Sequence, residues 1–319
     1  MRLLAALFLA APAAAQEADP VTPASIVAES APEEWVAIAP QDLLVMELAP
    51  DAQGRVRQVV IQLLPPPFSQ PWVENIRTLA RAHWWDGTSV YRVVDNWVAQ
   101  WGGGEGEEFA EKPLSEGVVS PDAPYAADGV HRMIDHALGE QVAIFEQVFG
   151  TRIAWPFGKD AYAPHAFILR GWPLAADDMR LNAWPVHCYG HVGVARDLAP
   201  DTGTGAELYA VIGHAPRQLD RNIAVIGRVI EGIAHLSTLP RGTGDAGVYE
   251  TRAEDTPILS VRLGSDLSDP PAFEYLSTTS ASFARYVASR ANRNDAFYTV
   301  PAGGVDICNV QVPIRRTRE

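Results

Sequence analysis

Residues 84–103, WWDGTSVYRVVDNWVAQWGG, predict two short strands joined by a turn. Their β-branched and aromatic side chains suit a half-buried pleated surface, and Asp95 and Asn96 supply turn chemistry between the strands. Arg92 lies among these apolar residues. An arginine in this setting is either a solvated strand residue, which is the commoner case, or a group directed at a ligand. The stretch alone leaves both interpretations open.

The length of the turn decides which side chains share a face of the predicted hairpin. If the turn after Val94 holds three residues, Arg92 lies opposite Gln100 and both side chains point the same way. If it holds two, Arg92 lies opposite Ala99 and Gln100 points to the other face. Only the first register allows Arg92 and Gln100 to act on one ligand.

Short strand-like segments on both sides of this hairpin predict a mainly β fold. Residues 34–48 and 54–64 predict an opening hairpin, and a helix with one apolar face follows from Ser69 onward. Downstream, a second short helix is predicted at 231–239, and strands are predicted at 187–195, 207–213, 219–229 and 256–263. Spaced short strands with only two clear helices favour a closed β-barrel over a parallel α/β sheet.

The first residues have the pattern of an export signal. A charged start, a short apolar run and three alanines predict a signal peptide over residues 1–15, with a buried first helix as the alternative. Residues 16–33, rich in Ala, Pro, Ser and Glu, predict a flexible linker. No later stretch is long and apolar enough to cross a membrane. We therefore expect an exported, periplasmic protein without stable membrane insertion.

Two further segments are predicted to be additions to a core domain. Residues 105–186 predict a partly helical insertion that covers one side of the core, with its helix over 130–149. Residues 264–319 predict a C-terminal extension, with a helix near 280–291 and a strand-like segment at 305–313.

Composition and cysteine usage exclude several classes of site. The net charge of −14 argues against a nucleic-acid partner, because phosphate contacts need clustered Lys and Arg. In an exported protein, Cys188 and Cys308 form either a disulfide or two separate buried thiols. His187, Cys188 and His191 are spaced closely enough to suggest a metal, but no second cluster supplies further ligands, so no metal is expected. No nucleotide-binding or nucleophile motif is present, and no cofactor is expected.

The order of several motifs resembles the cyclophilin-type peptidyl-prolyl isomerases. The motifs are VVIQL (59–63), VENIRTLAR (73–81), WDG (85–87), YRVV (91–94), WVAQWGG (97–103), GHVGVA (190–195), GAELYAVIG (205–213) and LDRNIAVIGRVIEG (219–232). The resemblance covers about residues 34–263. It implies a closed eight-stranded antiparallel β-barrel capped by two helices, with the peptide site outside the barrel and the C-terminal extension packed on it.

The resemblance also implies roles for single residues. Arg92 corresponds to the catalytic arginine and Gln100 to the glutamine beside it, which favours the ligand-directed interpretation of Arg92. Arg196 stands where the family often has an asparagine that contacts substrate, and Glu207 stands at a substrate-binding position where a glutamine is usual. The walls of a proline pocket are implied at Trp97, Val98, Ala195, Tyr209, Leu219 and Ile223, with tyrosine replacing phenylalanine at 209.

Isomerisation of an X-Pro bond suits such a site chemically. Rotation must cross about 18–20 kcal/mol because the twisted amide loses its resonance. A fixed guanidinium can donate a hydrogen bond to the twisted prolyl nitrogen more strongly in the transition state than in either ground state. We expect a monomeric isomerase acting on proline-containing peptides and unfolded exported proteins. The alternative, indicated by departures at 207, 218 and 223, is a peptide-binding module or holdase with little turnover.

Overall fold

The computed structural model describes residues 21–104, 112–150, 160–293 and 297–317. The signal peptide predicted over residues 1–15 lies outside these ranges. Within them, the chain forms three antiparallel sheets and five α-helices. No helix in the described ranges is long and apolar enough to cross a membrane.

Eight antiparallel strands close into a barrel. In order around the barrel they are β10 (His191–Val194), β11 (Leu208–Val211), β5 (Val98–Gly102), β4 (Ser89–Val93), β13 (Thr256–Leu263), β2 (Leu43–Leu48), β3 (Arg57–Leu63) and β12 (Val225–Glu231). Alternate side chains from these strands fill the interior, among them Met46, Ile61 and Trp101. The predicted closed eight-stranded barrel is confirmed.

Two helices close the barrel at opposite ends. Helix α2 (Gln70–Arg81) follows β3, and helix α4 (Ala234–Ser237) follows β12. Since β3 and β12 are antiparallel neighbours, their last residues lie at opposite ends of the barrel. Both helices bury apolar side chains in the barrel core, where Leu79 and Leu236 are fully buried. Helix α4 is only one turn long, shorter than the predicted 231–239.

The predicted first strand is divided in two. Strand β1 (Trp35–Ile38) ends before Pro40, and only the second part, β2, enters the barrel. Strand β1 pairs instead with β14 (Phe273–Leu276), which pairs with β15 (Ile314–Arg316). This small sheet packs on the outside of the barrel, with Phe273 against Val60. The strand predicted at 305–313 is wrong: the strand lies at 314–316, after a 3₁₀ turn.

The insertion forms a sheet covered by a helix. Helix α3 (His131–Phe149) confirms the predicted helix, and its Ile134 packs against Phe167 of the sheet. The strands of this sheet were missed because Trp172–Ala176 contains a proline and is buried on both faces, so it has no alternation. In order they are β6 (Ala127–Asp128), β9 (Asn182–Pro185), β8 (Trp172–Ala176) and β7 (His165–Leu169).

Part of the predicted flexible linker is an ordered helix. Helix α1 (Pro23–Ala28) starts with a capping box in which Thr22 and Ser25 exchange side-chain and backbone hydrogen bonds. Its Ile26 is buried in one core with Phe283 of helix α5 (Ala281–Ala291). The linker prediction is therefore corrected at these residues, and the helix is stabilised by contact with the distant C-terminal extension.

Cys188 and Cys308 are joined by a disulfide, with their Cα atoms 5.1 Å apart. The bond connects the segment before β10 with the C-terminal extension, across a sequence separation of 120. Cys188 is buried in the core that α1, the insertion and the extension share. The additions to the barrel are thus held together by one common core and one covalent bond.

Candidate active site

Arg92, Gln100 and Tyr209 form a row across three neighbouring strands. Arg92 of β4 pairs with Gln100 of β5, and Gln100 pairs in turn with Tyr209 of β11. Their sequence neighbours Ala99 and Trp101 point into the barrel core, so the row lies on the outer face. The structure therefore has the register that places Arg92 and Gln100 on the same face.

A β-bulge directs Arg92 into this row. Val90 pairs with Trp101 and Arg92 pairs with Gln100, which leaves Tyr91 as the extra residue. The bulge allows Val90 and Val93 to lie in the barrel core although they are three positions apart. A strict alternation would have turned one of these valines, or Arg92, to the wrong face.

Two fixed acceptors hold the guanidinium of Arg92. Its Nη1 donates to Gln100 Oε1 at 2.8 Å, and its Nε donates to the backbone oxygen of Ala246 at 2.8 Å. Among the described residues, Nη2 donates no hydrogen bond. The arginine is half-buried, so this remaining nitrogen is held in a defined position at the surface of the barrel.

A chain of hydrogen bonds behind Arg92 fixes the orientation of Gln100. Gln100 Nε2 donates to Tyr91 Oη at 2.5 Å, and the Tyr91 hydroxyl donates to Glu207 Oε2 at 2.9 Å. The other oxygen of Glu207 accepts backbone N–H bonds of 2.6 and 3.3 Å from residues 103–104. The Glu207 carboxylate can only accept, so the Tyr91 hydroxyl donates to it and accepts from the amide nitrogen of Gln100. The amide oxygen of Gln100 therefore faces Arg92.

Glu207 was predicted to bind substrate, and the structure places it in this supporting chain. It lies directly against the backbone of β5, where a Cβ atom at Gly102 would be 2.1 Å from Glu207 Oε2. A side chain at position 102 would have to displace the Glu207 carboxylate, and the φ of +154° there also favours glycine. Tyr91 and Ala246, which hold Gln100 and Arg92, were not predicted from the sequence, since their roles depend on the bulge and on contact with a distant turn.

An apolar cluster lies next to the row. It contains the predicted wall residues together with Val211, which was not predicted: Val98, Tyr209, Val211, Trp97, Ala195, Leu219 and Ile223. Val98 and Val211 pair across β5 and β11, two positions along from the pair of Gln100 and Tyr209. Residues two apart on a strand are separated by about 7 Å, so the cluster begins within reach of a proline whose amide lies near Arg92.

Arg196 lies at the edge of this cluster. Its Nε donates to the backbone oxygen of Asn222 at 3.0 Å, and its Nη1 donates to the backbone oxygen of Asp197 at 2.6 Å. Since Asn222 immediately precedes Ile223, Arg196 connects the end of β10 with the segment that carries this wall residue.

Tyr209 is held from behind by a buried histidine. Its Oη lies 2.9 Å from His187 Nε2, and His187 Nδ1 lies 2.9 Å from Asp220 Oδ1. Burial raises the pKa of Tyr209 above its ordinary value, so the side chain is a neutral phenol that can donate its proton in a hydrogen bond. No residue of this network other than Tyr209 was predicted to belong to the site.

The histidines and cysteine considered as metal ligands have other partners. His187 lies between Tyr209 and Asp220, Cys188 is in the disulfide, and His191 Nδ1 is 2.5 Å from the backbone oxygen of Val186. Within the described part of the chain, no three His, Cys, Asp or Glu side chains are grouped so that they could hold a metal ion.

The family model described as cyclophilin type peptidyl-prolyl cis-trans isomerase/CLD matches residues 70–263. The chain belongs to this family. The match runs from α2 to the end of β13 and includes the whole row of Arg92, Gln100 and Tyr209. The predicted cyclophilin resemblance and the enzyme class, peptidyl-prolyl cis-trans isomerase (EC 5.2.1.8), are confirmed, and the alternative of a binding module without turnover is not favoured.

A solved cyclophilin shares this fold. AquaCyp293 from Hirschia baltica is 20% identical, with a TM-score of 0.61, over 94% of this chain and 99% of that chain. A cyclophilin type peptidyl-prolyl cis-trans isomerase from Cryptosporidium parvum is 10% identical over 70% of this chain and 96% of its own, with a TM-score of 0.37. No curated protein sequence matches the chain. The likeness to AquaCyp293 extends beyond the barrel to the additions around it.

Proposed function

We propose that this cyclophilin isomerises X-Pro bonds in unfolded exported proteins, with Arg92 as the catalytic residue. The observation that carries the proposal is a guanidinium fixed at two nitrogens by Gln100 and Ala246, beside an apolar cluster on the outside of the barrel. The carbon atoms of a proline ring are apolar, and the ring nitrogen regains a lone pair when the amide twists. The apolar cluster can bind the ring carbons, and Arg92 can donate a hydrogen bond to the nitrogen.

The apolar cluster would bind the ring and exclude water. Val98, Tyr209 and Leu219 supply contact surface, and the ring packed there places its nitrogen toward the row that contains Arg92. Arg92 then donates to the prolyl nitrogen as the amide leaves planarity. This hydrogen bond exists only in the twisted state, so it lowers the barrier rather than tightening ground-state binding. A barrier lowered by about 7 kcal/mol corresponds to a rate increase of about 10⁵.

The supporting residues keep this donor in place. Gln100 holds Nη1 of Arg92, and Tyr91 with Glu207 holds Gln100. A guanidinium that is already oriented needs no reorganisation as the amide twists, which is the main source of electrostatic catalysis. Trp97, Ala195, Arg196 and Ile223 would contact the peptide around the proline.

The cellular setting proposed is the periplasm, reached through the predicted signal peptide of residues 1–15. There the enzyme would act as a monomer on proline-containing segments of newly exported chains. The disulfide is consistent with an oxidising compartment.

Replacement of Arg92 tests the proposal. In a cis/trans assay on an Ala-Pro peptide, Arg92→Ala is expected to lower kcat/KM by about 10²–10³, as for other preorganised donors. Arg55→Ala is the matched control, because Arg55 is an exposed arginine whose side chain donates to Asp51 and Gln53 in a distant turn. If Arg92→Ala retains the activity of the wild type while remaining folded, Arg92 is not the catalytic residue.

A further inference from the structure

A buried histidine, His187, connects two walls of the proposed proline pocket by hydrogen bonds. Tyr209 comes from β11, and Leu219 comes from the 3₁₀ turn Arg217–Leu219. His187 contacts both segments: its Nε2 lies 2.9 Å from Tyr209 Oη, and its Nδ1 lies 2.9 Å from the carboxylate of Asp220, the residue after Leu219. His187 is 1% exposed, so water does not compete for these bonds.

The direction of each hydrogen bond follows from Asp220. Its Oδ1 accepts from the backbone N–H and from Nδ1 of His187, and its Oδ2 accepts from Arg217 Nε at 2.6 Å. Because a carboxylate paired with an arginine only accepts, the His187 proton is on Nδ1. In the neutral imidazole the lone pair of Nε2 then faces Tyr209, whose hydroxyl donates to it. The polar side-chain atoms of Asp220, His187 and Tyr209 therefore all have hydrogen-bond partners.

The turn that carries Leu219 is also anchored to the insertion. Arg217 donates from both terminal nitrogens to Asp160, at 2.7 and 3.2 Å, and its guanidinium lies 5.2 Å from the ring of Tyr162. Its side chain and that of Asp160 are both buried. The Leu219 wall therefore cannot shift without breaking a buried ion pair, and it is the fixed side of the pocket.

The Tyr209 wall depends on its hydroxyl. Tyr209 pairs with Gly193 of β10, and a Cβ atom at position 193 would lie 2.3 Å from Tyr209 Oη. The ring thus lies across a strand that offers it no side chain at this position. The bond from Oη to His187 adds a polar anchor at the tip of the ring to its packing in the apolar cluster.

We propose that His187 is a positioning residue that clamps Tyr209 to the Leu219 turn and thereby sets the width of the proline pocket. It contacts no substrate itself. Its loss would loosen one wall relative to the other and weaken peptide binding, while Arg92 and its own supports stay in place. The inference rests on the proposed function, since it takes Tyr209 and Leu219 as walls of the substrate site.

Three variants form a double-mutant cycle on the isomerase assay. His187→Leu leaves the Tyr209 hydroxyl buried without an acceptor, and we expect KM to rise about tenfold with kcat within about twofold. Tyr209→Phe removes the donor, and an increase of about threefold in KM is expected. Because both replacements break the same bond, the double variant is expected to show the roughly threefold rise in KM of Tyr209→Phe rather than the product of the two single effects.

His191→Leu is the matched control. His191 is also buried and lies four positions along the same segment, but its ring is bonded to Val186 rather than to a pocket wall. We expect this variant to lose thermal stability with an unchanged KM. A residue with a merely structural role at position 187 would behave in the same way, with a loss of thermal stability and an unchanged KM.

The outcomes distinguish failure of the proposed role of His187 from failure of the proposed isomerase function. An unchanged KM in Tyr209→Phe, or single-variant effects on KM that multiply in the double variant, overturns the clamp. If His187→Leu does not fold, Tyr209→Phe decides alone, because it changes one buried oxygen. A loss of activity in Arg92→Ala with no KM effect in the cycle rejects the clamp only, whereas full activity in Arg92→Ala rejects the proposed function.

Discussion

Arg92 bonds two segments of the chain with two different nitrogens, to Gln100 Oε1 and to the Ala246 oxygen. A lysine ammonium is a single point donor on a flexible stem and cannot reproduce this arrangement. We therefore expect Arg92→Lys to keep the positive charge and still lose about 10²-fold in kcat/KM on an X-Pro peptide. Activity within a few-fold of the wild type would show that charge alone is sufficient, contrary to the proposed role of fixed geometry.

The Tyr91 hydroxyl joins Gln100 to Glu207, which is itself bonded to the backbone after β5. Tyr91→Phe leaves Gln100 Nε2 and Glu207 Oε2 without the hydroxyl that joins them. Because Gln100 then has two orientations available, kcat is expected to fall by about three- to tenfold, with little change in KM. Tyr189→Phe is a suitable control, since Tyr189 is partly exposed and lies outside the site. A Tyr91→Phe enzyme with unchanged kcat would mean that Gln100 is oriented without this chain.

His191 is predicted to contribute to acid sensitivity. Its burial, together with the positive charge of Arg228, lowers its pKa from 6.5 to about 3. Below pH 6.5 the unfolded chain binds a proton at this residue that the folded protein does not bind, so stability falls as pH falls. The slope from this group reaches about 1.4 kcal/mol per pH unit.

His191→Leu tests this assignment by removing the titrating group. Free energies of unfolding from urea titrations between pH 6.5 and 5 are expected to depend on pH less steeply in the variant than in the wild type. This window lies above the ordinary titration range of the carboxylates. Parallel slopes would show that His191 takes up its proton in the folded state as readily as in the unfolded chain.

Elements with a local signal could be predicted from the sequence, and those that depend on distant partners could not. Helix α2 has an apolar face at helical spacing, and the hairpin of β4 and β5 has turn residues at its centre. The bulge at Tyr91 is different, because it exists only through the pairing of two strands with a barrel interior. The hydrogen bonds that hold Arg92 depend on that bulge, so they too could not be predicted from the sequence.

Helix α2 stabilises the barrel through the face that was predicted. Leu79 is fully buried in the barrel core, whereas Arg81 two positions later is largely exposed. Leu79→Ala is expected to lower the free energy of unfolding by about 3 kcal/mol, from lost apolar burial and the cavity left behind. Arg81→Ala is expected to change it by about 0.5 kcal/mol or less. Urea unfolding at neutral pH with the disulfide intact measures both, and equal effects would contradict the capping role of α2.

At the scale of the molecule, segments far apart in sequence form one core outside the barrel. Ile26 of α1 packs with Phe283 of α5 and with Phe145 of α3. The Ala, Pro, Ser and Glu content of residues 16–33 predicted a linker, because the contacts that order α1 are with segments far away in the sequence. A short helix of six residues is not stable by itself, and only the tertiary contact accounts for its order.

The disulfide is expected to be a major source of stability for this assembly. It joins residues separated by 120 positions, so it removes a large amount of conformational freedom from the unfolded chain. In the chain-entropy model a loop of this length corresponds to about 4–5 kcal/mol. The double replacement Cys188→Ala and Cys308→Ala should lower the free energy of unfolding by about this amount, measured by urea titration in the absence of reductant.

Wild-type protein unfolded in the presence of reductant is the control for that measurement, because it loses the bond without losing either side chain. Cys188 is buried, so a larger loss in the double variant than in the reduced wild type would report the packing of its side chain rather than the bond. If both proteins unfold at the urea concentration of the oxidised wild type, the extension is held by its apolar contacts alone. A third outcome is an intermediate, seen only when the disulfide is absent, in which the additions have unfolded and the barrel has not. This outcome would show that the bond couples the additions to the barrel, since the barrel retains its own closed core.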